Sequence, residues 1–231
     1  MNAFPPAARY PWTRARRRPE SVSPPGKAAA ETPAKGFLGP LLLALLLVFS
    51  QSPSAKSIAP DAGAREHPLA NAIVLIIRHA EKPERGAGLS PEGEKRAKAY
   101  PEYFRKFTVD GKPLRIDYLI AAADSKESHR PRLTLEPLAA ATGLKIDARF
   151  KNAQFGELAA ELQRRRLGQH ILICWHHGDI PALAAALGAD PAKLLPGGKW
   201  SGSEYAWVLQ LRFDREGRLI ADETKRIEEG F

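Results

Sequence analysis

Ala72-Ile73-Val74-Leu75-Ile76-Ile77-Arg78-His79 decides how the rest of this 231-residue chain is read. Six apolar residues run without interruption and are followed at once by arginine and histidine. A strand with one wet face would alternate apolar and polar residues. An unbroken run of this length fits a strand covered on both faces, as in a parallel sheet flanked by helices. A second run of the same kind, Ile171-Leu172-Ile173-Cys174-Trp175, also leads straight into a histidine, His176.

Between and around these runs, strand and helix signals alternate. Ser90-Pro91-Glu92 opens a helix with a capping hydroxyl, a proline whose missing N–H costs nothing there, and an acid in the first turn. This helix is expected to reach Tyr103 or so, with Pro101 kinking or splitting it. Residues 116–120 read as a strand, 130–142 as a helix closed by Gly143, and 145–148 as a short strand. An amphipathic helix is expected over 155–166 before Gly168, and another over 180–187 before Gly188. Residues 204–213 and 219–223 alternate around Asp214-Arg215-Glu216-Gly217 and suggest an antiparallel pair. The pattern as a whole predicts a three-layer α/β/α sandwich with a mostly parallel central sheet. Ligand sites in such sheets collect at the carboxyl ends of the strands.

The folded region should begin near residue 71. Residues 1–35 are rich in Pro, Ala and Arg and lack apolar periodicity, so a disordered basic tail is expected there. That tail carries seven basic and two acidic side chains, and so five of the nine net positive charges of the chain. No aromatic-interleaved basic strand, zinc pattern or helix-turn-helix phrase follows it, so nucleic acid is not an expected partner. Residues 36–50 form a short apolar block behind this charge and before Ser, Gln and Pro. That arrangement fits a secretory signal or a membrane anchor and predicts an exported domain, periplasmic or held at the membrane. Residues 51–70 read as a polar linker, leaving 71–231 as the domain. With Cys174 the only cysteine, no intrachain disulfide is possible, and its place in an apolar run makes it a core residue.

Three of the expected strands bring chemistry to one edge. His79 and His176 follow the two buried strands, and Arg130, in Ser128-His129-Arg130-Pro131-Arg132, follows the strand at 116–120 and enters a helix. A single histidine after a strand is commonly structural. Two of them beside Arg78 and Arg130 make an anion pocket with a nucleophile, since a guanidinium fork matches phosphate oxygens. Two arginines would repel a metal ion, and no acidic ligand pair accompanies the histidines, so neither metal nor cofactor is expected.

Arg78-His79-Ala80-Glu81-Lys82 resembles the Arg-His-Gly/Ala-Glu signature of the histidine phosphatase superfamily, which includes the cofactor-dependent phosphoglycerate mutases. Leu89-Ser90-Pro91-Glu92-Gly93 is similar to that family's Leu-Thr-x-x-Gly helix start. Arg130-Pro131-Arg132-Leu133-Thr134, with Glu136-Pro137-Leu138, resembles its Arg-Ala-x-x-Thr-Ala-Glu-Pro-Leu segment. Ile173-Cys174-Trp175-His176-His177-Gly178-Asp179-Ile180-Pro181 resembles its Val-Val-Gly-His-Ser-x-x-Ile-Pro segment, with Trp175 in place of glycine. The resemblance implies a phosphoglycerate mutase-like fold and a phosphatase in which His79 forms a phosphohistidine while Arg78, Arg130 and His176 hold the phosphoryl oxygens. The implied substrate is a phosphorylated small molecule or a phosphoprotein.

Two departures bear on that implication. Family members commonly carry an acidic proton donor between the second arginine and the second histidine, and here the best match, Asn152 to Gly156, places asparagine there. Asp179 is the candidate substitute, against the alternative that it caps the helix beginning at Ile180; Glu157 reads as a solvated helix residue. Asparagine at the donor position, with Trp175 crowding His176, also leaves room for a non-catalytic phosphate-binding module. His129 and His177 read as supporting residues and Lys82 as a solvated lysine. Residues 82–87, 151–155 and 193–203 are the expected pocket-lining loops.

Overall fold

The computed structural model describes residues 67–230. The basic tail, the apolar block 36–50 and most of the expected linker lie outside the described residues. The elements are β1 (Ile73–Arg78), α1 (Pro91–Lys106), β2 (Thr108–Val109), β3 (Lys112–Pro113), β4 (Tyr118–Ala121) and α2 (Arg130–Thr142). They continue with β5 (Ile146–Asp147), α3 (Phe155–Arg164), β6 (His170–Trp175), α4 (Ile180–Ala186), α5 (Pro191–Leu194), β7 (Trp207–Arg212) and β8 (Lys225–Glu228).

Six strands form one sheet in the order β5-β4-β6-β1-β7-β8, and β2 with β3 forms a separate small hairpin. β5, β4, β6 and β1 pair in parallel, β7 runs against β1, and β8 runs against β7. β7 is therefore the only strand of the sheet that points the other way. Side chains alternate across the pleat, so β1 serves two cores. Ile73, Leu75 and Ile77 pack with Tyr100 and Phe104 of α1 and Leu135 and Leu138 of α2. Val74 and Ile76 pack with Leu158 and Leu162 of α3 and Ile180 and Leu183 of α4. All six residues of β1 are buried, as an unbroken apolar run between two helical layers requires. The chain is a three-layer α/β/α sandwich with a mostly parallel central sheet.

Local signals account for most element ends. The Ser90 hydroxyl accepts from the Gly93 amide at 3.1 Å, Glu92 and Glu94 lie in the first turn of α1, and Arg105 and Lys106 in the last. These placements satisfy a free amide and complement the helix dipole at both ends. Gly143 closes α2 in the left-handed conformation at φ 74°, which a residue without a side chain adopts at no steric cost. Leu69 and Ala70, just before the expected start at residue 71, are buried.

Two expectations need correcting. α1 is not split at Pro101 but continues to Lys106. The rings of Tyr100 and Phe104 lie 5.4 Å apart and those of Tyr103 and Phe107 5.7 Å apart, and this aromatic packing on either side offsets part of the ~3 kcal/mol that a proline costs inside a helix. The strand returning along β7 is Lys225–Glu228, not 219–223. Phe213 and Leu219 make one bridge, and the chain then turns through a 3-10 segment at Ala221–Glu223. The Thr224 hydroxyl, bonded to the Ile220 carbonyl at 3.0 Å, closes that turn. Among the described residues no helix is long and apolar enough to cross a membrane.

Candidate active site

The sheet register creates the site. Arg78 pairs with Trp175 at the carboxyl ends of β1 and β6, and the His79 amide bonds the Trp175 carbonyl at 3.0 Å. His79 and His176 therefore leave neighbouring parallel strands at one edge, with ring centroids 4.9 Å apart and planes at 70°. β4 ends beside them, and Arg130 is the first residue of α2 beyond it. Because β7 is antiparallel, the loop preceding it comes to the same edge, with Val208 opposite Ile77.

Arg78 is 1% exposed, and its guanidinium is held on two sides. Nη1 donates to the carbonyls of Ser201 (3.4 Å), Gly202 (2.8 Å) and Glu204 (2.7 Å). The Tyr205 ring lies over the guanidinium carbon at 3.6 Å, a stacked cation–π contact. Arg130 donates from Nη1 to the Gly86 carbonyl at 3.2 Å. The Nε atoms of both arginines are buried without a protein acceptor. A buried cationic donor left unpaired costs free energy.

His79 is 3% exposed. Its Nδ1 lies 2.7 Å from the Ala80 carbonyl oxygen. A carbonyl only accepts, so Nδ1 carries the proton and Nε2 keeps its lone pair. Burial, reinforced by His176, Arg78 and Arg130, lowers the His79 pKa to about 3. The ring is therefore neutral at ordinary pH, the state a nucleophile needs. His176 is lowered to about 4, first by burial and then by Arg130. The Ala80 amide bonds the Thr134 hydroxyl at 2.9 Å, and that hydroxyl donates to the Arg130 carbonyl at 2.8 Å. One buried threonine thus fixes the turn after His79 relative to the start of α2.

Asp179 precedes α4, but its side chain makes no cap hydrogen bond. Its Oδ2 instead accepts from Asn152 Nδ2 at 2.5 Å, so the capping alternative for Asp179 does not hold. Asn152 and the candidate proton donor are thus in direct contact. Trp175 is fully buried in the core on the α3–α4 side, and its indole N–H donates to the Asn152 carbonyl at 3.1 Å. It anchors the Asn152 loop. Glu157 pairs with Gln154 on an exposed face. Lys82 is exposed, and His129 meets the 82–87 loop through its backbone amide, bonded to the Ala87 carbonyl at 2.9 Å. Among the described residues no group of three or more His, Cys, Asp or Glu is placed to hold a metal. Other clefts, one beside Asn71, Arg212 and Asp214 and one beside Tyr103, Phe107 and Ile227, hold no comparable set.

The edge therefore brings together Arg78, His79, Arg130 and His176, with Asp179 linked to them through the His176 carbonyl, which accepts from its amide at 3.1 Å. Sequence reasoning missed Tyr205 and gave Thr134 no role of its own. Thr134 stands inside the Arg130-Pro131-Arg132-Leu133-Thr134 segment, where a hydroxyl on a helical interior face was a usable signal. Tyr205 had none.

No protein-family model matches the chain, and no curated protein matches it. Solved structures do. The protein histidine phosphatase SixA complexed with tungstate is 15% identical, with 68% of this chain and 97% of that one covered at a TM-score of 0.46. Phosphoglycerate mutase from Plasmodium falciparum is 14% identical, with 70% and 91% covered at 0.46. A mycobacterial glucosyl-3-phosphoglycerate phosphatase is 19% identical, with 65% and 97% covered at 0.40. These three are proteins that the chain is similar to.

Proposed function

We propose that this chain is a phosphatase that hydrolyses a phosphomonoester or a phosphoprotein through a phosphohistidine on His79. The observation that carries the reading is a buried, neutral His79 with Nδ1 engaged and Nε2 available, beside two arginines whose buried Nε donors lack protein acceptors. His79 Nε2 attacks phosphorus, the bond from phosphorus to the ester oxygen breaks, and the leaving oxygen takes a proton. Asp179, steadied by Asn152, is the proton donor in this reading. Water then attacks the phosphohistidine, releasing inorganic phosphate and restoring the imidazole. Arg78, Arg130 and His176 hold the equatorial oxygens, whose charge shifts through the transition state, so positioning and electrostatics supply most of the acceleration. The chemistry calls on no metal and no organic cofactor. The apolar block 36–50 supports a domain exported or held at a membrane, and mass spectrometry of the mature chain tests that placement.

Labelling tests the reaction. A radiolabelled aryl phosphate is mixed with the protein and quenched in alkaline detergent, because phosphohistidine is labile in acid. Wild type is expected to take up label and His79→Ala none; label retained in His79→Ala would overturn the assignment. The alternative, a phosphate-binding module without turnover, predicts phosphate binding with no label in the wild type. Asn152 at the donor position is its main support, and Asp179, which accepts from Asn152, is the substitute donor that the phosphatase reading needs.

A further inference from the structure

Behind the nucleophile lies a set of charged groups that the proposed reaction does not use. Glu229, just past β8, has a fully enclosed side chain. Its Oε2 accepts from Arg96 Nη1 at 2.6 Å, and its Oε1 from the Tyr100 hydroxyl at 3.0 Å. The other edge of Arg96 grips the Glu81 carboxylate, with Nε at 2.9 and 3.1 Å from its two oxygens and Nη2 at 2.9 Å. Glu81 is two residues after His79 and shares a peptide with Ala80, whose carbonyl holds His79 Nδ1. The Glu229 amide also bonds the Ala206 carbonyl at 2.6 Å, closing the loop whose carbonyls hold Arg78.

We propose that Glu229 is a positioning residue for His79: it holds Arg96, Arg96 holds the Glu81 carboxylate, and the peptide so fixed presents the Ala80 carbonyl that orients the imidazole. This rests on the reading of His79 as nucleophile. A purely stabilising role fits less well. Enclosing a carboxylate and a guanidinium consumes much of the Coulomb gain, and well-packed apolar residues often serve stability as well or better. What the charged set gives that an apolar set cannot is direction, since a two-edged guanidinium fixes Glu229 and Glu81 at defined distances.

The set also titrates. Burial raises the Glu229 pKa to about 7, with Glu81 adding to the rise and Arg96 and Tyr100 opposing it. Tyr103 of α1 and Cys174 of β6 also feel its charge. As pH falls through 7, Glu229 takes up a proton and Arg96 loses its charged partner on that side. The rate of His79 phosphorylation should therefore step down through this range in the wild type. Glu229→Gln lacks this titration, so the ratio of wild-type to variant rate should rise from pH 5.5 to 8.5.

The test uses the full chain as wild type, Glu229→Ala and Glu229→Gln. The rate of label uptake from an aryl phosphate, the affinity for inorganic phosphate, and the 15N resonances of the His79 ring are measured from pH 5.5 to 8.5. Glu229→Ala should be phosphorylated about 10- to 100-fold more slowly, the scale on which small misplacements act. Its phosphate affinity should stay within threefold, and the His79 ring should lose its single Nδ1–H tautomer. Unchanged ring resonances in Glu229→Ala would overturn the proposal, as would phosphate affinity falling by the same factor as the rate. Should Glu229→Ala fail to fold, Glu229→Gln decides: a ratio of wild-type to variant rate that is the same at every pH overturns the proposal, and a ratio that rises from pH 5.5 to 8.5 supports it. A wild type that takes up no label defeats the phosphatase reading alone, since the ring resonances still report whether Glu229 orients His79.

Discussion

The parallel part of the sheet, β5-β4-β6-β1, and its antiparallel margin, β7-β8, contribute to the same edge in different ways. The parallel strands deliver every group proposed to react or to hold phosphate: Arg78 at the end of β1 and His79 after it, Arg130 beyond β4, His176 and Asp179 after β6. The margin supplies restraint. Three carbonyls from the loop before β7 and the Tyr205 ring immobilise Arg78, and Glu229 after β8 reaches the turn behind His79 through Arg96. Strand direction explains the role of β7: it enters the sheet at the catalytic edge and brings its preceding loop there, contributing backbone and cover, while β8 runs with β1 and delivers Glu229 just past its carboxyl end. Reaction and preorganisation are thus assigned to different parts of one sheet, and each can be perturbed separately.

The largest expected effect belongs to the reacting half. A histidine held neutral at a folded pKa of about 3 binds a proton more readily once unfolded, near its ordinary value of 6.5. The unfolded chain therefore holds more protons between those values, and stability falls as pH drops below 6.5. At pH 4.5 His79 alone should cost about 2.7 kcal/mol relative to neutral pH, from two pH units at ~1.36 kcal/mol each. Urea unfolding at pH 7 and 4.5 measures it. His79→Gln should lose correspondingly less on acidification, and equal losses in the two proteins would show that His79 is not held neutral.

Gly93 gives a test at the join of the two halves. A Cβ there would lie 2.4 Å from the Glu81 carbonyl oxygen, itself bonded to the Ser90 amide at 3.0 Å. Alanine favours a helix over glycine by up to ~1 kcal/mol, but here it must displace backbone. Gly93→Ala should destabilise the domain by about 1–3 kcal/mol, the usual cost of overpacking. Because Glu81 moves with the turn that orients His79, phosphorylation should slow as well. A more stable Gly93→Ala protein with an unchanged rate would show that the turn is not rigidly held, and would weaken the Glu229 proposal with it.

How much of this was legible in the sequence depended on what kind of contact each part makes. β1 and β6 could be read because burial on both faces leaves an unbroken apolar run, and the two histidines because each follows such a run at once. α2 was readable to the residue, since Pro131 lies in its first turn and Gly143 closes it. β8 was not. Its four residues, Lys225-Arg226-Ile227-Glu228, are mostly charged, as suits an exposed edge strand, and the stronger apolar alternation just upstream drew the expectation to 219–223. The clamp on Arg78 was illegible for a deeper reason: carbonyl oxygens come with every residue, so no residue type marks Ser201, Gly202 or Glu204 as acceptors. Asp179 was singled out from its place after His176, but only the geometry set it against Asn152. Glu229, lying 148 positions after Glu81 in the sequence, left no local trace at all.

Tyr205 provides the smallest and most discriminating perturbation of the margin. Its ring covers the Arg78 guanidinium at 3.6 Å, and its ring centroid lies 6.4 Å from that of His79. A cation–π contact at a largely desolvated site contributes about 0.5–2 kcal/mol. Tyr205→Ala should therefore weaken inorganic phosphate binding by roughly two- to thirtyfold, as Arg78 gains freedom that the three carbonyls alone do not remove. Tyr205→Phe keeps the ring face and should bind phosphate within twofold of wild type. Titration calorimetry on the two variants separates cover from chemistry. Loss in the alanine variant alone identifies the ring as a restraint on Arg78, as the division between the two halves requires. Equal loss in the phenylalanine variant would mean that the phenol oxygen itself meets the anion, and the margin would then supply a binding group as well as restraint.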